Sequence, residues 1–88
     1  MLQMLYFSAP WCAPCKTSKP IVQRVADELK VGLTIYNVDE DAREVQQYAI
    51  SSVPTLVFMV NGQPVTSLLG SKITRDAVVG TLKQLGVK

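Results

Sequence analysis

The sequence has no histidine and only two cysteines in 88 residues. The first absence removes the commonest general base, the Ser-His and Cys-His nucleophilic pairs and most catalytic zinc sites. Any chemistry therefore falls to cysteine or a carboxylate. The second excludes a disulfide-stapled secreted scaffold, which would carry about four to eight cysteines. Charge of one sign is scarce as well: nine Lys and Arg against seven Asp and Glu leave a net +2, too little to point to nucleic acid. No apolar run reaches membrane length, and Met1 to Phe7 has no basic residue ahead of it and is too short for a signal segment. A cytoplasmic protein with no membrane or nucleic-acid partner is the expectation. With no repeat, low-complexity segment or linker, residues 1–88 are expected to form one domain. A chain of this size buries only about 60 to 65% of its unfolded surface, so every element must contribute to one core.

What the chain does have is a 48% apolar composition arranged in clear periods. Leu2 to Phe7 is a nearly continuous apolar run ending at Ser8-Ala9-Pro10, which suits a buried strand and a turn. From Ala13 to Lys30, Ile21, Val22, Val25, Ala26 and Leu29 fall at helical spacing, with Pro20 expected to kink the helix. Gly32 is expected to break the chain before a second strand, Leu33 to Val38. Asp41 and Glu44 form a D-x-x-E capping pattern for a short helix carrying Val45, Tyr48 and Ala49. Thr55 to Val60 is apolar on both faces and reads as a central strand. Asn61-Gly62 is a type I′ hairpin signal, and Pro64 to Leu69 returns as an edge strand. Thr74 caps a last helix with Ile73 and Val78 as a hydrophobic staple, and Val78, Val79, Leu82 and Leu85 line its buried face. Gly80, inside that helix, is expected to mark close packing. The order βαβαββα, with a right-handed parallel βαβ unit and an antiparallel hairpin, predicts an α/β fold with a mixed four-stranded sheet flanked by three helices.

Cys12 and Cys15 enclose Ala13-Pro14 at the junction of the first strand and first helix. A thiol at a helix N-terminus meets unpaired N–H groups and the positive end of the macrodipole, which favour the thiolate. Lys16 and Lys19 add positive charge nearby. Three other uses of the pair stand beside a redox dithiol. A zinc half-site would need two more ligands from a second chain. A purely structural disulfide would close a loop of about four residues and stabilise by about 2 kcal/mol in the entropy model. Two unrelated buried thiols are the third. The position at a strand-to-helix junction of a βαβ unit favours the redox dithiol.

With Trp11-Cys12-Ala13-Pro14-Cys15-Lys16, Pro20, Ser52-Val53-Pro54-Thr55, Asn61-Gly62 and Gly70, the whole chain resembles the thioredoxin family. The resemblance implies a minimal thioredoxin-like fold and a thiol-disulfide oxidoreductase that reduces protein disulfides. Cys12 would be the exposed nucleophile and Cys15 the more buried resolving thiol, with a redox-active Cys12–Cys15 disulfide and no bound cofactor. Pro54 would be a cis proline beside the dithiol. Val53 would offer backbone hydrogen bonds to an extended substrate, and Trp11, Ala13, Pro14, Pro54 and Gly70 would form a low apolar platform. The implied partners are an NADPH-dependent thioredoxin reductase or an equivalent electron donor, and disulfide-containing substrates such as a ribonucleotide reductase. The protein would act as a monomer.

The sequence also departs from the family. Thioredoxins begin with an extra strand and helix, whereas this chain starts at the strand that leads to the dithiol, so Leu33 to Val38 is expected to be a sheet edge. The family's buried aspartate six residues before the first cysteine, and its lysine partner, correspond here to Tyr6 and Ile35. Losing both charges together can be neutral for stability, but proton exchange at Cys15 then needs water or another group. Absence of histidine and a proline within the CxxC go with a reductase. Two alternatives are a glutaredoxin-like, glutathione-coupled reductase, which would need a Gly-Gly pair after Val53-Pro54 that this chain lacks, and a non-catalytic binding subunit.

Overall fold

The computed structural model describes residues 1–87. Its elements are β1 (Leu2–Ser8), α1 (Ala13–Leu29), β2 (Gly32–Asn37), α2 (Ala42–Gln47), β3 (Thr55–Val60), β4 (Gln63–Leu69) and α3 (Arg75–Gln84), with a 3-10 turn at Gly70–Lys72. The sheet order is β2-β1-β3-β4, with β1 parallel to β2 and antiparallel to β3. This is the mixed four-stranded α/β arrangement that the apolar periods imply, with β2 at one edge.

Alternation along the two central strands builds two cores. Met4 and Tyr6 of β1 with Leu56 and Phe58 of β3 face α1 and α3, where Val22, Val25, Ala26, Val78 and Leu82 meet them. Leu5, Phe7, Val57 and Met59 face the other way, under Tyr36, Val45, Tyr48 and Ile50. Both faces of β3 are therefore covered, as its unbroken apolar run requires. Phe7 stacks on Tyr36 with ring centroids 5.0 Å apart. Among the described residues no helix is long and apolar enough to cross a membrane.

The turns follow local chemistry in most places. Asn61 and Gly62 have φ of 51° and 82°, the positive values of a type I′ turn. The Thr74 hydroxyl accepts from the Ala77 N–H at 3.2 Å, and Ile73 and Val78 are both buried as a staple. Three expectations need correction. Helix α1 ends at Lys30, in the left-handed region at φ 57°, with its N–H on the Ala26 carbonyl; Gly32 already belongs to β2, opposite Gln3. Asp41 precedes α2 without capping it, because its carboxylate turns back to accept the Asn37 N–H at 2.9 Å and closes the β2–α2 connection instead. Gly80 is not a close-packing position: it is exposed, and a Cβ there would meet open space.

Candidate functional site

Strand β1 runs through the middle of the sheet and delivers the chain at Ala9-Pro10 to the start of α1. The Cys12 N–H donates to the Ala9 carbonyl at 3.1 Å, which tightens this turn. Cys12 is the N-cap of α1, and its Sγ accepts the Cys15 N–H at 3.2 Å. One of the helix's unpaired donors thus points at this sulfur, the arrangement that stabilises negative charge there. Pro14, in the first turn, costs no helical hydrogen bond. Cys12 and Cys15 are joined in a disulfide with Cα atoms 5.3 Å apart.

The two sulfurs differ less in burial than expected. Cys12 and Cys15 are each 4% exposed, packed with Ala9 and flanked by Val38 and Val53. An exposed Cys12 over a buried Cys15 is therefore corrected: as N-cap, Cys12 is tucked under the preceding turn. The asymmetry lies in what surrounds them. Cys15 lines a groove of about 410 Å³ with Lys16, Lys19, Ile35, Glu40 and Asp41. A second, mostly apolar hollow of about 300 Å³ is lined by Trp11, Val38, Val45, Ile50 and Val53, of which Val38 and Val53 also pack against the cysteine pair.

The residues flanking the dithiol are only partly where the sequence put them. Trp11 is 68% exposed, on the surface where the resemblance places it, and its indole N–H donates to the Asp39 carboxylate at 3.1 Å. Ala13 and Pro14 are exposed beside it, and Val53 packs half-buried against the cysteine cluster. The Val53–Pro54 peptide bond is cis. Pro54 is fully buried, and its carbonyl accepts the Gly70 N–H at 2.9 Å. It supports the surface from below, so the apolar platform loses one of its five members. Gly70 is half-buried with φ 54°, a conformation that favours glycine at this junction.

Beneath Cys15 lies Tyr6, fully buried, whose hydroxyl bonds to the Cys15 carbonyl at 3.2 Å and to the Ser18 hydroxyl. Burial pushes its phenol above the ordinary tyrosine range, against a smaller opposite effect of the Ser18 hydrogen bond. Ile35 is the β2 neighbour of Tyr6 and is 37% exposed. Neither brings charge to the dithiol. Sequence reasoning missed Asp39 and Ser18. The first sits 28 residues from its partner Trp11, with no local pattern to connect them. The second could have been suspected as the one polar residue on the buried stripe of α1. Among the described residues no three Cys, Asp or Glu side chains gather into a metal-binding group.

Comparison with known proteins gives consistent matches. The family model described as Thioredoxin matches residues 1–84. A thioredoxin of Chlamydia trachomatis serovar D is 40% identical over 80 residues, covering 89% of this chain and 76% of that protein. An M-type chloroplast thioredoxin of Spinacia oleracea is 39% identical over 70 residues, covering 77% of this chain and only 39% of its own length. Among solved structures, the Fasciola hepatica thioredoxin superposes with a TM-score of 0.85 at 27% identity, over 94% of this chain and 79% of that one.

Proposed function

Because the chain belongs to the thioredoxin family, we propose that it is a thiol-disulfide oxidoreductase that reduces disulfides in proteins through Cys12 and Cys15. The observation that carries this reading is the Cys12–Cys15 disulfide at the N-terminus of α1, with a backbone N–H already on the Cys12 sulfur. In the reduced protein, Cys12 as thiolate attacks one sulfur of a substrate disulfide. That S–S bond breaks, the other substrate sulfur leaves as thiolate and takes up a proton, and Cys12 is left in a mixed disulfide. Cys15 then gives up its proton and attacks Cys12, which restores the Cys12–Cys15 bond and releases the second substrate thiolate. The substrate gains two electrons and the dithiol loses two.

The surroundings support roles for their neighbours. The exposed indole of Trp11 and the hollow beside Val53 offer apolar contact to a chain segment carrying the disulfide. Ala13, Pro14 and Gly70 border the same surface, and Val53 supplies backbone groups, with Pro54 fixing the segment from beneath. No bound cofactor is required. Electrons return from an NADPH-dependent thioredoxin reductase or an equivalent donor, the substrates are proteins such as a ribonucleotide reductase, and the setting is the cytoplasm.

The test is trapping with Cys15→Ser. This variant is expected to accumulate mixed disulfides on Cys12, from which mass spectrometry identifies the substrates. Reduction of a protein disulfide by the native chain coupled to NADPH and thioredoxin reductase is the expected turnover. Coupling to glutathione alone makes the protein glutaredoxin-like. Full biological activity in a Cys12→Ser, Cys15→Ser variant means a binding subunit.

A further inference from the structure

Strand β1 touches the dithiol helix through one polar atom in an otherwise apolar core. The Tyr6 hydroxyl donates to the Cys15 carbonyl, so the Ser18 hydroxyl donates in turn to the Tyr6 oxygen, and each hydroxyl hydrogen is used once. Burying two hydroxyls is unfavourable unless they are paired, and here they pair with each other and with the backbone of the second cysteine.

The place of this contact along α1 is informative. Pro20 has no N–H, so the Lys16 carbonyl lacks its partner one turn on, and the opening turns of α1 are less firmly joined to the remainder. Cys15 and Ser18 are the residues of that opening segment that the helix buries against the sheet. Tyr6 bonds to both. The segment weakened by Pro20 is therefore tied to a central strand, paired on both edges, at the residue that carries the second sulfur.

We propose that Tyr6, acting through Ser18 and the Cys15 carbonyl, is a positioning residue for the resolving step, holding Cys15 Sγ in line with Cys12 in the mixed disulfide. The inference rests on the reading of Cys12 as nucleophile and Cys15 as resolving thiol. In that step the Cys15 S–H loses its proton to solvent, the Cys15–Cys12 bond forms, and the Cys12–substrate bond breaks with the pair of electrons leaving on the substrate sulfur. Tyr6 gives and takes nothing. A buried phenol stays protonated at working pH and cannot receive the Cys15 proton. That proton leaves through the groove, where the charged groups beside Cys15 are Lys16 and Lys19 of α1 and Glu40 and Asp41 of the β2–α2 connection. The other residues packed on Cys15, namely Ala9, Val38 and Val53, are uncharged.

Single-turnover stopped-flow with a peptide disulfide labelled by a fluorophore and a quencher separates formation of the mixed disulfide from its resolution. Tyr6→Phe, which removes only the hydroxyl, is expected to slow resolution about tenfold, the rate equivalent of one hydrogen bond's worth of alignment. Formation of the mixed disulfide and the pH midpoint of resolution are expected to stay as in the native protein. Ser18→Ala, which leaves the aromatic core intact, is expected to slow the same step by less. Unchanged resolution in both variants overturns the inference, as does equal slowing of both steps, the mark of a merely structural role. A shifted pH midpoint overturns it too, since Tyr6 would then be exchanging a proton. If the native protein forms no mixed disulfide with the peptide, the proposed function itself fails, which is a separate and recognisable result.

Discussion

The indole N–H of Trp11 donates to the carboxylate of Asp39 at 3.1 Å, joining the turn before the dithiol to the connection after β2. A large aromatic side chain that is two-thirds exposed is thereby held in one orientation, which reduces the entropy lost when a partner covers it. Asp39→Ala frees the ring. Reduction of a protein disulfide is expected to fall a few-fold in kcat/KM, the equivalent of about one hydrogen bond, with little change in melting temperature, because Trp11 and Asp39 are both exposed and belong to neither core. Trp11 is the sole tryptophan, so its fluorescence anisotropy reports the released ring directly.

Gly80→Ala is expected to stabilise the protein. Gly80 lies within α3, its φ is not positive, and a Cβ meets open space. Alanine then gains about 0.5 to 1 kcal/mol from helix propensity and from a less flexible unfolded chain. In a domain of this size that raises the melting temperature by about 2 to 8 °C. A fall in melting temperature would mean that α3 packs more tightly at Gly80 than described.

Arg75 and Glu28 tie α3 to α1 in an exposed ion pair at 2.6 Å. The hydrogen bond from Arg75 holds the Glu28 carboxyl below its ordinary value. A lowered folded-state pKa means that the contribution to stability is present above the unfolded pKa and is lost as pH falls through the folded one. The difference in urea stability between the native protein and Glu28→Gln is therefore expected at neutral pH and should vanish in acid, below the lowered carboxyl. Added salt should shrink it, because the pair faces solvent. A difference that persists in acid and high salt would assign the effect to packing.

Resolution at neutral pH is expected to be slower here than in a thioredoxin with a carboxylate at the position of Tyr6. The residue beneath Cys15 is a neutral phenol and its strand neighbour is Ile35, so neither assists removal of the Cys15 proton. Raising the pH should narrow the gap as the thiol ionises unaided. Equal stopped-flow rates at neutral pH would refute this.

The fold was legible because its determinants are local. Thr74 caps within three residues, Asn61-Gly62 sets its own turn, and the apolar parity of Met4 to Phe7 assigns each side chain to a face. The position of the dithiol followed from the same order of elements. What escaped depends on where side chains turn after the chain has packed. Asp41 carries a capping pattern, yet its carboxylate finds the Asn37 N–H first. Gly80 invites a packing explanation that only the absence of a neighbour refutes. The burial of Cys12 and the Tyr6–Ser18 bond depend on how the β1–α1 turn and the start of α1 settle against the sheet: the helical stripe includes Ser18, but it does not name Tyr6 as the partner.

The dithiol turn departs from β1, which is hydrogen-bonded on both edges and covered on both faces. Local openings in a protein are cheapest where pairing and cover are thin, and β1 has neither weakness. Its amides from Met4 to Phe7 should be among the last to exchange with deuterated solvent. The cysteines are therefore anchored to one of the two best-protected strands, and a cycle of oxidation and reduction can run its course without the frame beneath it coming apart.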